Sequence, residues 1–242
     1  MKILAVDAGN TRIKWGVHDG AAWVATGAIA TGDVDLLATA WAGASKVDRA
    51  IASNVAGAKV REAIESPCSR AGIALEVIAS LPRQLGVTNS YRSPSQLGSD
   101  RWAALIAAHH LAPGHKLVVN AGTALTIDAL DDAGHFLGGV IVPGPALMRR
   151  SLDQGTAGLR LTEGVVDAFP RATPDAITTG AIVAASGAVM RMAQAMTDRG
   201  TPPASIVLSG GAAKEIAPHL PFTLAIHENL VLEGLNLIAR RA

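Results

Sequence analysis

The sequence predicts an α/β protein with mixed sheets, built from two related halves and held together by packing alone. Three observations lead there. Strand-like apolar runs alternate with helix-like segments along the 242 residues, and one motif recurs at a spacing close to half the chain. The composition also supplies a core without a disulfide, with 49% hydrophobic, 17% charged and only 3% aromatic residues. Ala, Val, Leu and Ile must therefore fill most of that core. This balance excludes a disordered chain. A net charge of +1 gives no global field for gripping nucleic acid or an anionic membrane. Cys68 is the only cysteine, so no intramolecular disulfide can form, as in a reducing cytoplasm.

The recurring motif opens each half. Leu4-Ala5-Val6-Asp7-Ala8-Gly9-Asn10-Thr11 overlays Leu117-Val118-Val119-Asn120-Ala121-Gly122-Thr123-Ala124 at a constant offset of 113. Each copy reads as strand, tight glycine turn, strand, and each then reaches an acidic turn, Asp19-Gly20 or Asp131-Asp132-Ala133-Gly134. The pattern predicts domains over 1–113 and 114–242. Between the copies we expect a helix over Leu36–Ala42, a strand over Arg49–Asn54, a helix over Ala56–Ala71 and a strand over Leu75–Ala79. A helix over Asp100–Leu111 follows, because Trp102, Leu105, Ile106 and His109 share one face. Pro113-Gly114 ends it.

The second half predicts a strand over Phe136–Val142 and a helix over Pro145–Leu152, then a polar loop. A long helix over Asp175–Arg199 and a short strand over Ile206–Leu208 come next, and an apolar helix over Leu230–Ile238 closes the chain. The N-terminal apolar run meets Asp7 too soon for a signal peptide or membrane span. The apolar stretch from Ala176 to Met196 carries Thr, Ser, Gly and Arg, and reads as a buried or interface helix. A soluble, cytoplasmic protein is expected.

Three constellations bear on chemistry. In Asp7-Ala8-Gly9-Asn10-Thr11, with Lys14 behind, a carboxylate can hold the hydration shell of Mg²⁺. Gly9 allows a tight turn whose N–H groups could wrap phosphate oxygens. An ordinary hairpin with Asp7 capping the turn explains the same residues. The copy Asn120-Ala121-Gly122-Thr123-Ala124 would complete a cradle for a triphosphate, and Ser209-Gly210-Gly211 is a third glycine turn, at the end of a strand. Tyr91, the sole tyrosine, precedes Gly98-Ser99-Asp100-Arg101. There Asp100 is either a helix cap or a proton acceptor, and Arg101 a clamp for an anion. The seven histidines form no metal-ligand pattern, and Cys68 has no Cys-X-X-Cys companion.

On these motifs the chain resembles the type III pantothenate kinases, within the larger group of acetate and sugar kinases, actin and heat-shock ATPases. The Asp-x-Gly-Asn-Thr loop at Asp7, Gly-x-Asp-Arg at Gly98–Arg101, and Gly-Gly-x-Ile-x-Pro-Gly at Gly138–Gly144 carry the likeness, with Thr179-Gly180 and Ser209-Gly210-Gly211. The resemblance implies duplicated actin-like (ribonuclease H-like) domains with an ATP cleft between them, and ATP-dependent phosphorylation of pantothenate in coenzyme A synthesis. It implies that Asp7, Ala8, Gly9, Asn10, Thr11, Arg12, Ile13, Lys14 and Thr123 bind ATP and that Asp100 is the general base. Tyr91, Gly98, Ser99, Asp100, Arg101 and Thr179 would bind pantothenate. Asp7 would hold Mg²⁺ through water. A homodimer is implied, for which the helix from Ala181 to Met196 is the candidate interface. The family usually has Asp where this chain has Asn120, a position associated with K⁺ or NH₄⁺, so weaker or altered cation dependence is expected. A nucleotide-sensing protein of the same fold, or a kinase for another small hydroxy acid, is the alternative.

Overall fold

A computed structural model describes residues 1–42, 46–156, 159 and 162–241. It contains two compact units. The first comprises Met1–Leu111 together with the C-terminal stretch from Asn229, and the second is Ala112–Glu228.

In the first unit, β1 (Ile3–Ala8), β2 (Arg12–His18) and β3 (Trp23–Ala30) form an antiparallel meander. A 3₁₀ turn, Thr31–Leu36, leads into α1 (Leu37–Ala42). Next come β4 (Arg49–Asn54), α2 (Ala58–Arg70) and β5 (Ala74–Val77), with β4 parallel to β1 and β5 parallel to β4. The sheet order is β3-β2-β1-β4-β5. A small hairpin, β6 (Arg83–Gln84) and β7 (Val87–Asn89), precedes α3 (Ser99–Leu111).

β1 is central and buried on both faces, which explains its unbroken apolar run. Leu4, Val6 and Ala8 join Ile13, Trp15 and Val17 of β2 in a core closed by Leu37 and Trp41 of α1 and Val60, Ile64 and Cys68 of α2. Cys68 thus behaves as a small core residue, and burial pushes its thiol pKa up. The opposite face receives α3 and the C-terminal helix, Leu230–Arg241. Gly234 makes that packing possible, since a Cβ there would strike the Ala103 carbonyl. Trp23 Nε1 also donates to Glu233 Oε1 at 2.6 Å. The expected division at 113/114 therefore needs correction at its end. The final helix follows the second half in sequence, but its apolar face is buried against α3 and β1 of the first unit.

The second unit repeats the plan. β8 (Lys116–Ala121), β9 (Ala124–Leu130) and β10 (His135–Pro143) form a meander, followed by α4 (Pro145–Gly155) and α5 (Thr173–Asp198). Then come β11 (Ser205–Ser209), the single turn α6 (Ala213–Ile216) and β12 (Leu224–Ile226). Its five strands run β10-β9-β8-β11-β12, with β8, β11 and β12 parallel. Order and strand sense match the first sheet position for position. Ile182, Ala185, Val189, Ala193 and Met196 of α5 pack on Leu117, Val119, Leu125 and Ile127, forming the second core. α5 is long and apolar enough to cross a membrane, but this inward face is core. Residues 157–158 and 160–161, in the loop expected after Leu152, lie outside the described residues.

Candidate active site

The first unit carries the densest set of expected residues. Between β1 and β2, the Gly9 N–H donates to the Arg12 carbonyl at 3.0 Å, and Thr31 Oγ1 donates to the Gly9 carbonyl at 2.7 Å. This leaves Asn10, Thr11 and Arg12 exposed on a fixed turn. Ala8 and Ile13 flank this turn. Both are fully buried in the core, so their side chains reach no ligand, and only their backbone can serve one.

Asp7 and Lys14 are register partners on β1 and β2. Burial and then the charge of Asp100 raise the Asp7 pKa from 3.8 to about 7, with Lys14 opposing. The α3 N-terminus therefore brings Asp100 into electrostatic range of the β1 carboxylate. Asp100 Oδ1 accepts the Arg101 N–H at 2.8 Å, and Gly98 leaves room for it: a Cβ there would lie 2.5 Å from that oxygen.

Arg101 is 5% exposed, and its Nη1 donates to Tyr91 Oη at 3.1 Å. Its Cζ stands 5.7 Å from the Tyr91 ring centroid. A buried guanidinium held by a phenol offers fixed donors to an anionic or hydroxyl-rich ligand. Three buried polar residues that the sequence reading passed over brace this loop. Ser80 Oγ donates to the Leu97 carbonyl at 2.8 Å, Asn89 Nδ2 to the Pro94 carbonyl at 3.2 Å, and Ser53 Oγ is bonded to Ser99 Oγ at 2.8 Å. The available signal was a polar residue inside an apolar strand, as in Ala50-Ile51-Ala52-Ser53.

The second unit brings its glycine motifs together at the end of β8. The Gly144 N–H donates to the Thr123 carbonyl at 2.8 Å, and a Cβ on Gly144 would collide with Gly122. Gly210 has φ of 98° and packs on the Ala121 backbone, where a Cβ would lie 2.7 Å from Asn120 Oδ1. Gly122 and Thr123 are exposed on the turn. Thr179 is only 7% exposed, and its Oγ1 accepts the Asp167 N–H at 3.1 Å, which leaves its own hydroxyl proton to offer.

Among the described residues no group of three or more His, Cys, Asp and Glu side chains could cage a metal. Once Asp7 is ionised, Asp7 and Asp100, with Lys14, carry a local excess of one negative charge. That set suits a hydrated Mg²⁺ keeping most of its waters. Asn120 lies in register with Thr126 and Ser209, so this strand end offers neutral oxygens to a monovalent cation.

Comparisons with known proteins bear on the fold and the family. The protein-family model for type III pantothenate kinase matches residues 3–195. A type III pantothenate kinase of Dechloromonas aromatica (strain RCB) is 46% identical over 241 residues, covering 99% of this chain and 100% of that one. Among solved structures, a candidate Baf family transcriptional activator from Campylobacter jejuni has a TM-score of 0.64 at 22% identity, covering 98% of each chain. A candidate N-acetylmannosamine kinase from Listeria monocytogenes has a TM-score of 0.56 at 15% identity, over 100% of this chain and 99% of that one. The structural likenesses give the fold, that of the actin-like ATPases and sugar kinases. The sequence matches give the family: this chain belongs to the type III pantothenate kinases.

Proposed function

We infer that this chain transfers the γ-phosphoryl group of ATP to the primary hydroxyl of pantothenate, giving 4′-phosphopantothenate and ADP in coenzyme A synthesis. One observation supports this most. A carboxylate at a helix N-terminus, Asp100, lies within electrostatic range of a second carboxylate, Asp7, and is followed directly by Arg101, whose buried guanidinium is bonded to Tyr91.

In this reading Tyr91, Gly98, Ser99 and Arg101 hold pantothenate with its hydroxyl toward Asp100. The hydroxyl oxygen attacks the γ-phosphorus, the bond to the β-phosphate oxygen breaks, and Asp100 takes the proton. An alcohol gives up that proton late in a loose phosphoryl transfer, so an ordinary carboxylate suffices. The exposed turn at Asn10-Thr11-Arg12 offers backbone N–H groups and a hydroxyl to the phosphates, and Lys14 adds charge; in the second unit, Thr123 on its own exposed turn is the candidate ATP contact. Ala8 and Ile13 contribute through the backbone alone. Mg²⁺, when bound through water at Asp7, neutralises charge on the phosphates. Thr179 is a less direct candidate for pantothenate, with its hydroxyl oxygen already accepting from Asp167. Asn120 is the proposed contact for K⁺ or NH₄⁺, as a neutral ligand only.

A homodimer belongs to the same reading. The outward face of α5 exposes Val183 (61%) and Met190 (45%), apolar side chains suited to a second copy. A cytoplasmic setting fits the free thiol of Cys68. The test is ADP release with pantothenate present and absent. Release that requires pantothenate is expected; release that ignores it would contradict the reading and favour an uncoupled ATPase or another acceptor.

A further inference from the structure

Ser53 occupies a site where an apolar residue would be ordinary. It is 0% exposed, on β4, directly after Ala50-Ile51-Ala52. A hydroxyl buried there loses its hydration and must be compensated by a hydrogen bond. Its partner is Ser99 Oγ at 2.8 Å, and Ser99 is the first residue of α3.

The register makes this contact more than a packing detail. β1 and β4 are parallel neighbours, with Asp7 paired to Ser53. Paired residues project to the same side of a sheet. Leu4, Val6, Ala8, Ala50 and Ala52 face the core under α1 and α2. Alternation therefore sends Asp7 and Ser53 to the other side, where α3 packs on β4. Asp100, the residue after Ser99, is the carboxylate whose charge raises the pKa of Asp7. Thus a single hydrogen bond ties the first turn of α3 to the strand beside Asp7, one residue from Asp100. Either hydroxyl can donate, so the tie needs no particular protonation state.

We propose that Ser53 is a positioning residue that sets where Asp100 stands relative to Asp7. This rests on the reading of Asp100 as general base. Ser53 itself is fully buried and touches no substrate. Its effect runs through the seating of α3, and misplacing a catalytic group by about 1 Å can cost up to ~100-fold in rate.

The test compares Ser53→Ala with wild type in the full-length protein, by steady-state kinetics for both substrates and by thermal melting. The proposal expects kcat to fall about tenfold with both KM values nearly unchanged, and the melting temperature to fall by only about 5 °C for the Ser99 hydroxyl left unpaired. The same substitution is then made in the Asp100→Asn background, where it should cause no further loss. Unchanged kcat in Ser53→Ala would overturn the proposal. So would KM values that rise in step with a falling kcat, or an equal loss in both backgrounds, since a general structural role predicts those. If Ser53→Ala does not fold, Ser53→Cys keeps the side-chain volume while weakening the same bond and is judged by the same kcat-against-KM split. Should Asp100→Asn alone retain wild-type turnover, the reading of Asp100 as base fails first, and that result is separate from any effect of Ser53.

Discussion

Asp7 holds its proton up to about pH 7, and the charge of Asp100 is one of the two reasons. The other, larger reason is burial at the end of a central strand. Two carboxylates that repel each other, with Lys14 opposing, form a site that favours keeping one proton. In the proposed reading, a hydrated cation at Asp7 would relieve that excess.

Asp7 should make the ligand-free protein less stable as pH rises. Its native pKa lies above the unfolded value of 3.8, so the native state binds the extra proton, and stability falls as pH climbs from about 4 through 7. Asp7→Asn should remove this penalty. Discounted for partial exposure, it is about 2 kcal/mol above pH 7, or roughly 5 °C in melting temperature. Melts at pH 8 and pH 5 without Mg²⁺ or nucleotide check this, and equal shifts at both would contradict it.

Gly98→Ala should act on turnover more than on stability. The new Cβ would sit 2.5 Å from Asp100 Oδ1, and the end of a side chain can move where backbone cannot. We expect kcat to fall by about tenfold or more, with melting close to wild type. A stable variant with full kcat would show that Asp100 has freedom to spare.

His18 should make the seating of the C-terminal helix acid-sensitive. Its Nδ1 accepts from the Gly20 N–H at 3.0 Å and from Arg240 Nη2 at 2.8 Å, and its ring meets Trp23 edge-on at 4.9 Å. Burial, and then the Arg240 charge, lower its pKa below 6.5, against Glu233 and Asp19. The native state thus binds fewer protons than the unfolded chain, and stability is lost as pH falls below about 6.5. His18→Asn should flatten the decline in melting temperature between about pH 7 and pH 5. A slope identical to wild type would contradict this.

Asn120 should leave turnover only weakly dependent on K⁺. Titrating KCl at fixed Mg²⁺ should change wild-type kcat little, whereas Asn120→Asp should become clearly K⁺-dependent. Strict K⁺ dependence in the wild type would contradict the prediction.

Much of this was legible in the sequence for a physical reason. A buried strand ending in a glycine turn leaves a strong mark, and the 113-residue offset gave two copies of it; the five strands β8 to β12 then proved to repeat the order of the first sheet. β3 was missed because Trp23-Val24-Ala25-Thr26-Gly27-Ala28-Ile29-Ala30 alternates small residues with little polar contrast. β12 has three residues, too few to show a period. The C-terminal helix was assigned to the wrong half because its partners, α3 and β1, are remote in sequence. Among the candidate site residues, Asp7, Asp100 and Arg101 were visible as charged residues close to a glycine, and Tyr91 as the sole tyrosine. Ser53, Ser80 and Asn89 matter through burial and pairing, which one-dimensional spacing does not display.

The most direct test of the account is kcat of Asp100→Asn in pantothenate-dependent ADP release, with ATP binding measured alongside. The account predicts a loss of about a thousandfold with ATP affinity nearly intact. Turnover at the wild-type rate would contradict it.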